Sequence, residues 1–455
     1  MEIYINKKQN KIYLYHIIKM NLFIFVSLFS FQSYGDWWHN HSFLMASRPA
    51  GMGGAYTGIG SGPAGVFYNP GGIAFSPDAS ISVSTTNYYT STITQDGYLA
   101  NDNTSFSLTD ADLLSGYFGG SFRLGTDLPI YMAFAIYNKD YVNIDNVVES
   151  DSKNGLTKTR FVQKVSSTEN EYAMAVSFRT HDKFSFGLSI AFFDMRYSEL
   201  QGANILSGPY DDPYGGAQIY QYELWNYTSN FYVRGIEAGL GFLYKPKEYI
   251  SFGLSGKYKF ILSQNAEGTY VDNQVVTDSQ FNPINNSNDY SDFYEQYINQ
   301  TNIKHTPEPF GQLPYIIRFG IAWMPSDWQT FTSDLIYTSE NNAVNPFYHT
   351  KKTYDYAFGS ETIFYDTLGI RLGFFTNRWS GDPNVTDQFV NVNFLGYTAA
   401  IVYYNKRSVY SLTYMLQESQ PGAEYSLEPV LYNGRNNPKV YWRTDQIALG
   451  ITGEL

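Results

Sequence analysis

The chain has 455 residues, no cysteine, a net charge of −12 and an 18% aromatic share dominated by 42 tyrosines. The missing cysteines remove disulfides and thiolate metal sites together. The acidic balance excludes a nucleic-acid partner, which needs clustered Lys and Arg along its phosphates.

Residues 1–35 read as a cleaved signal peptide. Lys7, Lys8, Lys11 and Lys19 make a basic leader, "LFIFVSLFSF" (22–31) is a short apolar core, and Ser33 and Gly35 suit cleavage after Gly35. A ten-residue core is about half of what a spanning helix needs. Cleavage would take the net charge from −12 to −15, because four Lys and one Glu leave.

The next stretch is hostile to helix and strand alike. Nine glycines and two prolines fall between Gly51 and Gly72. Yet "MASRP", "VFY" and "IAF" are too apolar for a solvated linker. Residues 36–78 are therefore expected to fold as a compact plug, or hatch, with Asn69 and Pro70 setting its tightest turn. Arg48 is the one charged residue in 47–75, and its expected partners are Glu237 or Asp334. "HNH" (39–41), two His without a carboxylate nearby, reads as an unliganded leader.

From Ala79 to Leu455 the recurring signal is period-two alternation. In "FYVRGIEAGLGFLY" (231–244) the even positions carry Ile236, Leu240, Phe242 and Tyr244, and the odd ones carry glycines and Glu237. "ISFGLSGKYKF" (250–260), "YIIRFGIAW" (315–323) and "LGIRLGFF" (368–375) repeat the scheme. Strands of ten to fourteen residues, aromatic at the ends of their apolar faces, match a tilted membrane crossing. Only a closed sheet satisfies its backbone in lipid, so the expectation is an all-β transmembrane antiparallel barrel of fourteen strands over 79–455. Short breaks such as "THDK", "KPKE" and "NKRS" read as periplasmic turns. Long polar stretches, among them 143–170, 201–228 and 265–313, read as extracellular loops.

Alternation turns seven charges toward the lumen: Arg179, Glu237, Lys257, Lys259, Arg318, Asp334 and Arg371. They could orient a carboxylate head or hold the hatch, or simply pair with one another. Six His, none on a strand beside a same-face serine, argue against hydrolysis. No cofactor and no metal are expected.

"SRPAGMGGAYTGIGSGPAGVFYNPGGIAF" (47–75) resembles the N-terminal hatch of the FadL and toluene-channel family of outer-membrane proteins. The matching motif residues are Gly51, Gly53, Gly54, Gly58, Asn69, Pro70 and Gly71. "SDLIYTSEN" (333–341) and the C-terminal strands resemble the family more loosely. The resemblance implies a monomeric channel in the outer membrane of a diderm bacterium, set among lipids that include lipopolysaccharide. It would take up hydrophobic compounds, long-chain fatty acids or aromatic hydrocarbons, and release them sideways beside the third strand. The alternative is a family member with a binding or secretion-associated assembly role. Two departures stand out. Gly71 replaces the usual alanine, which would loosen the plug. The third strand, "IYMAFAIYNKD", lacks a glycine or proline, leaving Gly119 and Gly120 next door to relieve the pairing.

Overall fold

The computed structural model describes residues 39, 44–96, 105–125, 129–151, 157–210, 218–277, 301–303, 310–341, 349–381, 390–420, 424–425 and 440–454. The leader read as a signal peptide lies outside the described residues.

Fourteen antiparallel strands close into a barrel, each paired with its chain neighbours. They are β1 Ala79–Asp96, β2 Ser105–Arg123, β3 Ile130–Asp151, β4 Thr157–His181, β5 Phe184–Tyr210, β6 Ile219–Lys247 and β7 Ile250–Thr277. The second half comprises β8 Ile316–Ser326, β9 Gln329–Thr338, β10 Thr353–Phe364, β11 Leu368–Asn377, β12 Phe394–Asn405, β13 Ser408–Ser419 and β14 Val440–Glu454. The first strand pairs with the last, from Ser80↔Glu454 to Gln95↔Val440, so no edge is left there. Three short strands lie outside the wall: Thr301–Ile303 pairs with β7, and Val390–Asn391 pairs with Glu424–Tyr425.

The alternation sorts side chains as a barrel requires. Leu188, Leu240, Leu254, Ile370 and Leu412 stand on the outside, while Ala173, Glu237, Ser255 and Arg371 are buried within. A soluble monomer rarely exposes more than a few hundred Å² of contiguous apolar surface, so a belt of this kind is the surface of a membrane barrel. Among the described residues no helix is long and apolar enough to cross a membrane.

The wall is uneven. Strands β8–β13 run 10 to 12 residues, but β4–β7 run 25 to 29. At about 3.3 Å per residue the excess is roughly 50 Å of strand above the barrel. This corrects the reading of 143–170, 201–228 and 265–313 as loops where they are described: 143–151, 157–170, 201–210, 219–228 and 265–277 are strand, and most of the remainder lies outside the described residues. Pairing continues to Asp151↔Lys158, Ser207↔Gln221 and Tyr220↔Thr277. Above the lipid both faces of a strand are polar, so the contrast that marks a strand in sequence disappears although the ladder persists.

Residues 44–78 lie inside the barrel as two helical turns, α1 Ser47–Gly51 and α2 Gly65–Tyr68, and a 3₁₀ turn, Pro70–Phe75. They share the main buried cluster with the inner faces of β2–β5, through Met45, Met52, Tyr56, Phe67, Tyr68 and Ile73.

Candidate functional site

The site begins with the glycines. Gly187, Gly241, Gly253, Gly320, Gly359 and Gly373 lie on the inner faces of six strands, three to six residues from the short turns. A Cβ at any of them would overlap atoms of the N-terminal segment. These wall positions are small because backbone meets backbone there. The segment's own glycines fit the other side of the contact. A Cβ on Gly58 would sit 2.7 Å from Ala322 N, and one on Gly51 would sit 2.9 Å from Arg371 Cδ. Gly53 meets Phe374 N at 2.8 Å and also adopts φ +63°, which a side chain would resist. Gly54 faces Leu44 within the segment, away from the wall. Gly71 would place a Cβ 2.8 Å from Gly241 O. The expectation that glycine here loosens the packing is thus reversed: alanine would push the segment off β6.

Polar wall groups then fasten the backbone. Asn69, fully buried, spends its whole side chain: Oδ1 accepts from Gly71 N at 3.0 Å, and Nδ2 donates to Thr57 O and Phe242 O, both at 2.9 Å. Pro70 follows at the first position of the 3₁₀ turn, where its fixed φ costs nothing. Asp334 Oδ2 accepts from Tyr56 N at 3.0 Å and Thr57 N at 2.9 Å. Ser251 donates to Gly58 O (2.6 Å), Ser255 to Tyr68 O (2.7 Å) and Ser185 to Gly71 O (2.6 Å). Arg179 donates to Ala74 O from Nε (3.0 Å) and Nη2, with its guanidinium over Phe75. Tyr68 OH accepts from Met45 N, and burial pushes its phenol well above the usual range, so it stays neutral.

Arg48 corrects a sequence expectation. It pairs with neither Glu237 nor Asp334 but with Glu361, at 2.6 Å from Nη2 and 3.1 Å from Nε. Glu361 also accepts from Arg371 Nε and Tyr404 OH, both at 2.7 Å. Burial works against the Arg48 charge, but Glu361, with Tyr56 and Tyr404, raises its pKa. The reason is placement: α1 lies against β11–β14, far round the wall from Glu237, and Asp334 is already occupied by amides.

The remaining inward charges gather on the other side. Glu237 pairs with Lys257 at 2.6 Å, and Lys257 lies over Phe67. Lys259 contacts Glu169 and, at 3.2 Å, Glu171, and Lys139 reaches both carboxylates at 3.6 Å. Arg318 lies over the rings of Phe67 (5.2 Å) and Tyr68 (5.6 Å). Sequence reading missed Glu361, Glu169, Glu171 and Lys139. Glu361 had a signal, because it shares a face with Asp355, Ala357 and Gly359 along β10.

Next to this cluster the wall parts. β2 and β3 are 19 and 22 residues long, yet their ladder holds only from Arg123↔Tyr131 to Tyr117↔Tyr137. Above that rung, β2 continues with β1 and β3 continues with β4. Two irregularities sit at the same height. β2 changes register against β1 around Gly116, where a Cβ would overlap Ser84 O, and β3 skips Lys139 against β4. Gly119 and Gly120, expected to relieve the pairing, lie instead within the intact ladder. A cavity of about 30 Å³ opens beside the seam, lined by Leu44, Met45, Ser84, Gly116, Tyr117 and Asn138. That volume admits on the order of one or two waters, far less than a hydrophobic solute.

His39 is buried, with Nε2 2.7 Å from Val392 O and the ring edge-on to Phe394, at the far end of the lumen from the turns. The "HNH" leader is therefore packed, at least at its first residue; Asn40 and His41 lie outside the described residues. Among the described residues no group of three or more His, Asp or Glu could hold a metal.

A fourteen-stranded membrane barrel with its own N-terminal segment folded into the lumen is the class these features define. The fold is similar to a FadL homologue of Pseudomonas aeruginosa, at 12% identity, 90% of this chain, 98% of that one and TM-score 0.54. It is similar to the toluene transporter TbuX of Ralstonia pickettii, at 12% identity, 91% and 98% coverage and TM-score 0.52. The toluene transporter TodX of P. putida matches at 11% identity, 91% and 98% coverage and TM-score 0.53. No family model and no curated protein matches the sequence.

Proposed function

We propose that this chain is a monomeric channel in the outer membrane of a diderm bacterium, taking up hydrophobic compounds such as long-chain fatty acids or aromatic hydrocarbons. It performs no chemistry on them and uses no cofactor or metal. The solved barrels of the same fold include proteins named as toluene transporters, which supports the hydrophobic class and leaves the cargo open. Residues 36–78 act as the hatch, Gly51, Gly53, Gly58, Asn69, Pro70 and Gly71 seating it on the wall, and the leader 1–35 is removed on export. Arg179, Asp334 and Arg371 hold the hatch, directly or through Glu361. Glu237, Lys257, Lys259 and Arg318 form the polar lining that a cargo head group would meet.

The observation that carries this reading is the seam between β2 and β3. Unpaired backbone in hydrocarbon costs several kcal/mol per group, so a barrel whose β2 and β3 stop pairing with each other at mid-height needs a use for the gap. A sideways exit past Tyr117 and Tyr137 is that use. The small cavity beside it marks a resting state, which cargo must widen.

The chain has no cysteine, so a disulfide can be placed at the last shared rung. Tyr117→Cys with Tyr137→Cys, oxidised, would keep the seam from widening. Uptake of a fluorescent long-chain fatty acid and of labelled toluene by cells lacking their own transporters is the readout. Loss of uptake on oxidation and recovery with reductant supports the exit, and unchanged uptake in the cross-linked protein overturns it.

A further inference from the structure

On the outer face of β5, the residues Phe184, Phe186, Leu188, Ile190 and Phe192 make an apolar row about 26 Å long, which at the tilt of a barrel strand rises about 20 Å, most of the height of a lipid belt. The next outward residue is Asp194, and the one after it is Arg196. Asp194 faces Arg234 across the β5–β6 ladder. Its carboxylate accepts from Arg196 Nε at 2.9 Å and from Arg234 Nε at 2.7 Å, and Arg196 Nη2 lies 2.8 Å away. Two guanidiniums thus share one carboxylate at the upper boundary of the lipid belt, with a net charge of +1. Both remain open to the outside, at 64% and 45% side-chain exposure, whereas Asp194 is only 12% exposed.

We propose that Arg196 and Arg234 bind the phosphate of a phosphorylated outer-leaflet lipid. This rests on the outer-membrane reading above, which sets β5 and β6 upright with these residues at the external surface. Each guanidinium has five N–H donors in a planar fork that matches phosphate oxygens, and Asp194 uses only a minority of them. The Arg234 guanidinium is steadied over the Tyr232 ring at 5.0 Å, whose hydroxyl is 3.1 Å from Ser263 Oγ. Directly below, the exposed rings of Tyr172 and Phe192 pack together at 6.4 Å and offer acyl chains an aromatic shelf. Asp194 holds the two cations apart at a fixed spacing, so phosphate completes a site already ordered.

The far side of the barrel supplies an internal control. There Arg443 pairs with Asp445 at 2.8 Å and Glu418 at 3.3 Å on the outer face of β13–β14. That cluster has a net charge of −1 and repels phosphate.

The test uses the full barrel in nanodiscs of neutral phosphatidylcholine, titrated with bis-phosphorylated lipid A and with lipid A stripped of its phosphates, and read by native mass spectrometry. The phosphorylated lipid should bind at least roughly tenfold tighter, consistent with one or two charge-assisted bonds. Arg196→Gln with Arg234→Gln should erase that preference, the double Lys variant should keep part of it, and Arg443→Gln should keep all of it. A preference unchanged in the double Gln variant, or no preference in the parent, overturns the site. Heat-modifiable migration of the same samples separates the two readings. A chain that never inserts refutes the membrane barrel, and an inserted chain without preference refutes only the lipid site.

Discussion

Removing the Asp334 carboxylate should release the hatch and leave the barrel standing. Oδ2 accepts two hatch amides, Tyr56 N at 3.0 Å and Thr57 N at 2.9 Å, and Asp334 is 1% exposed, so water cannot replace it in the docked state. Hydrogen bonds to a charged group contribute about 1.5–3 kcal/mol each, and two buried donors left unmade cost a similar amount. Relief of the buried carboxylate offsets part of this, so Asp334→Ala should destabilise docking by about 3 kcal/mol. Asp334→Asn keeps an acceptor oxygen and should cost about 1 kcal/mol. Native-state hydrogen exchange reads the effect directly, because a 3 kcal/mol loss speeds exchange of the Tyr56 and Thr57 amides by roughly 150-fold. Amides of the wall, such as those on the Leu240↔Gly256 rung, should keep their protection because they belong to the barrel ladder. Unchanged exchange at Tyr56 and Thr57 in Asp334→Ala would refute the anchor. Matching losses in the wall would refute the separation of hatch from barrel.

Gly253→Val should clash with Thr57 and Asn69, loosen the hatch and raise single-channel conductance in planar bilayers while the barrel still migrates as folded. Glu361→Ala, which leaves Arg48 and Arg371 without their shared carboxylate, should cost about 3–5 kcal/mol, whereas Arg48→Ala should cost about 1 kcal/mol because Arg371 and Tyr404 still hold Glu361; denaturant titration of hatch docking compares them. Leu240→Arg, outward and 54% exposed, should cost about 2–4 kcal/mol by equilibrium folding into lipid vesicles. Deleting residues 47–75 should leave a heat-resistant barrel with raised conductance and no selective uptake.

Alternation along the chain and the breaks between its segments were enough to mark fourteen strands at lipid height and their inward and outward faces, because side-chain direction in a strand is a local property of period two. It placed Glu237, Lys257, Arg318 and Asp334 on the inner face, and the glycine spacing marked 47–75 as a compact piece. What each inner residue touches was not legible. Arg48 finds Glu361 rather than Asp334 because the path of the segment through the lumen decides it, and no spacing in the sequence records that path. The height of β4–β7 was hidden too, since above the lipid the apolar contrast vanishes while the ladder continues. The parting of β2 from β3 is a relation between two strands, each of which stays well paired on its other side. Only the tertiary structure sets how far two neighbours share a ladder, because register and bulges are settled by the closure of the whole barrel.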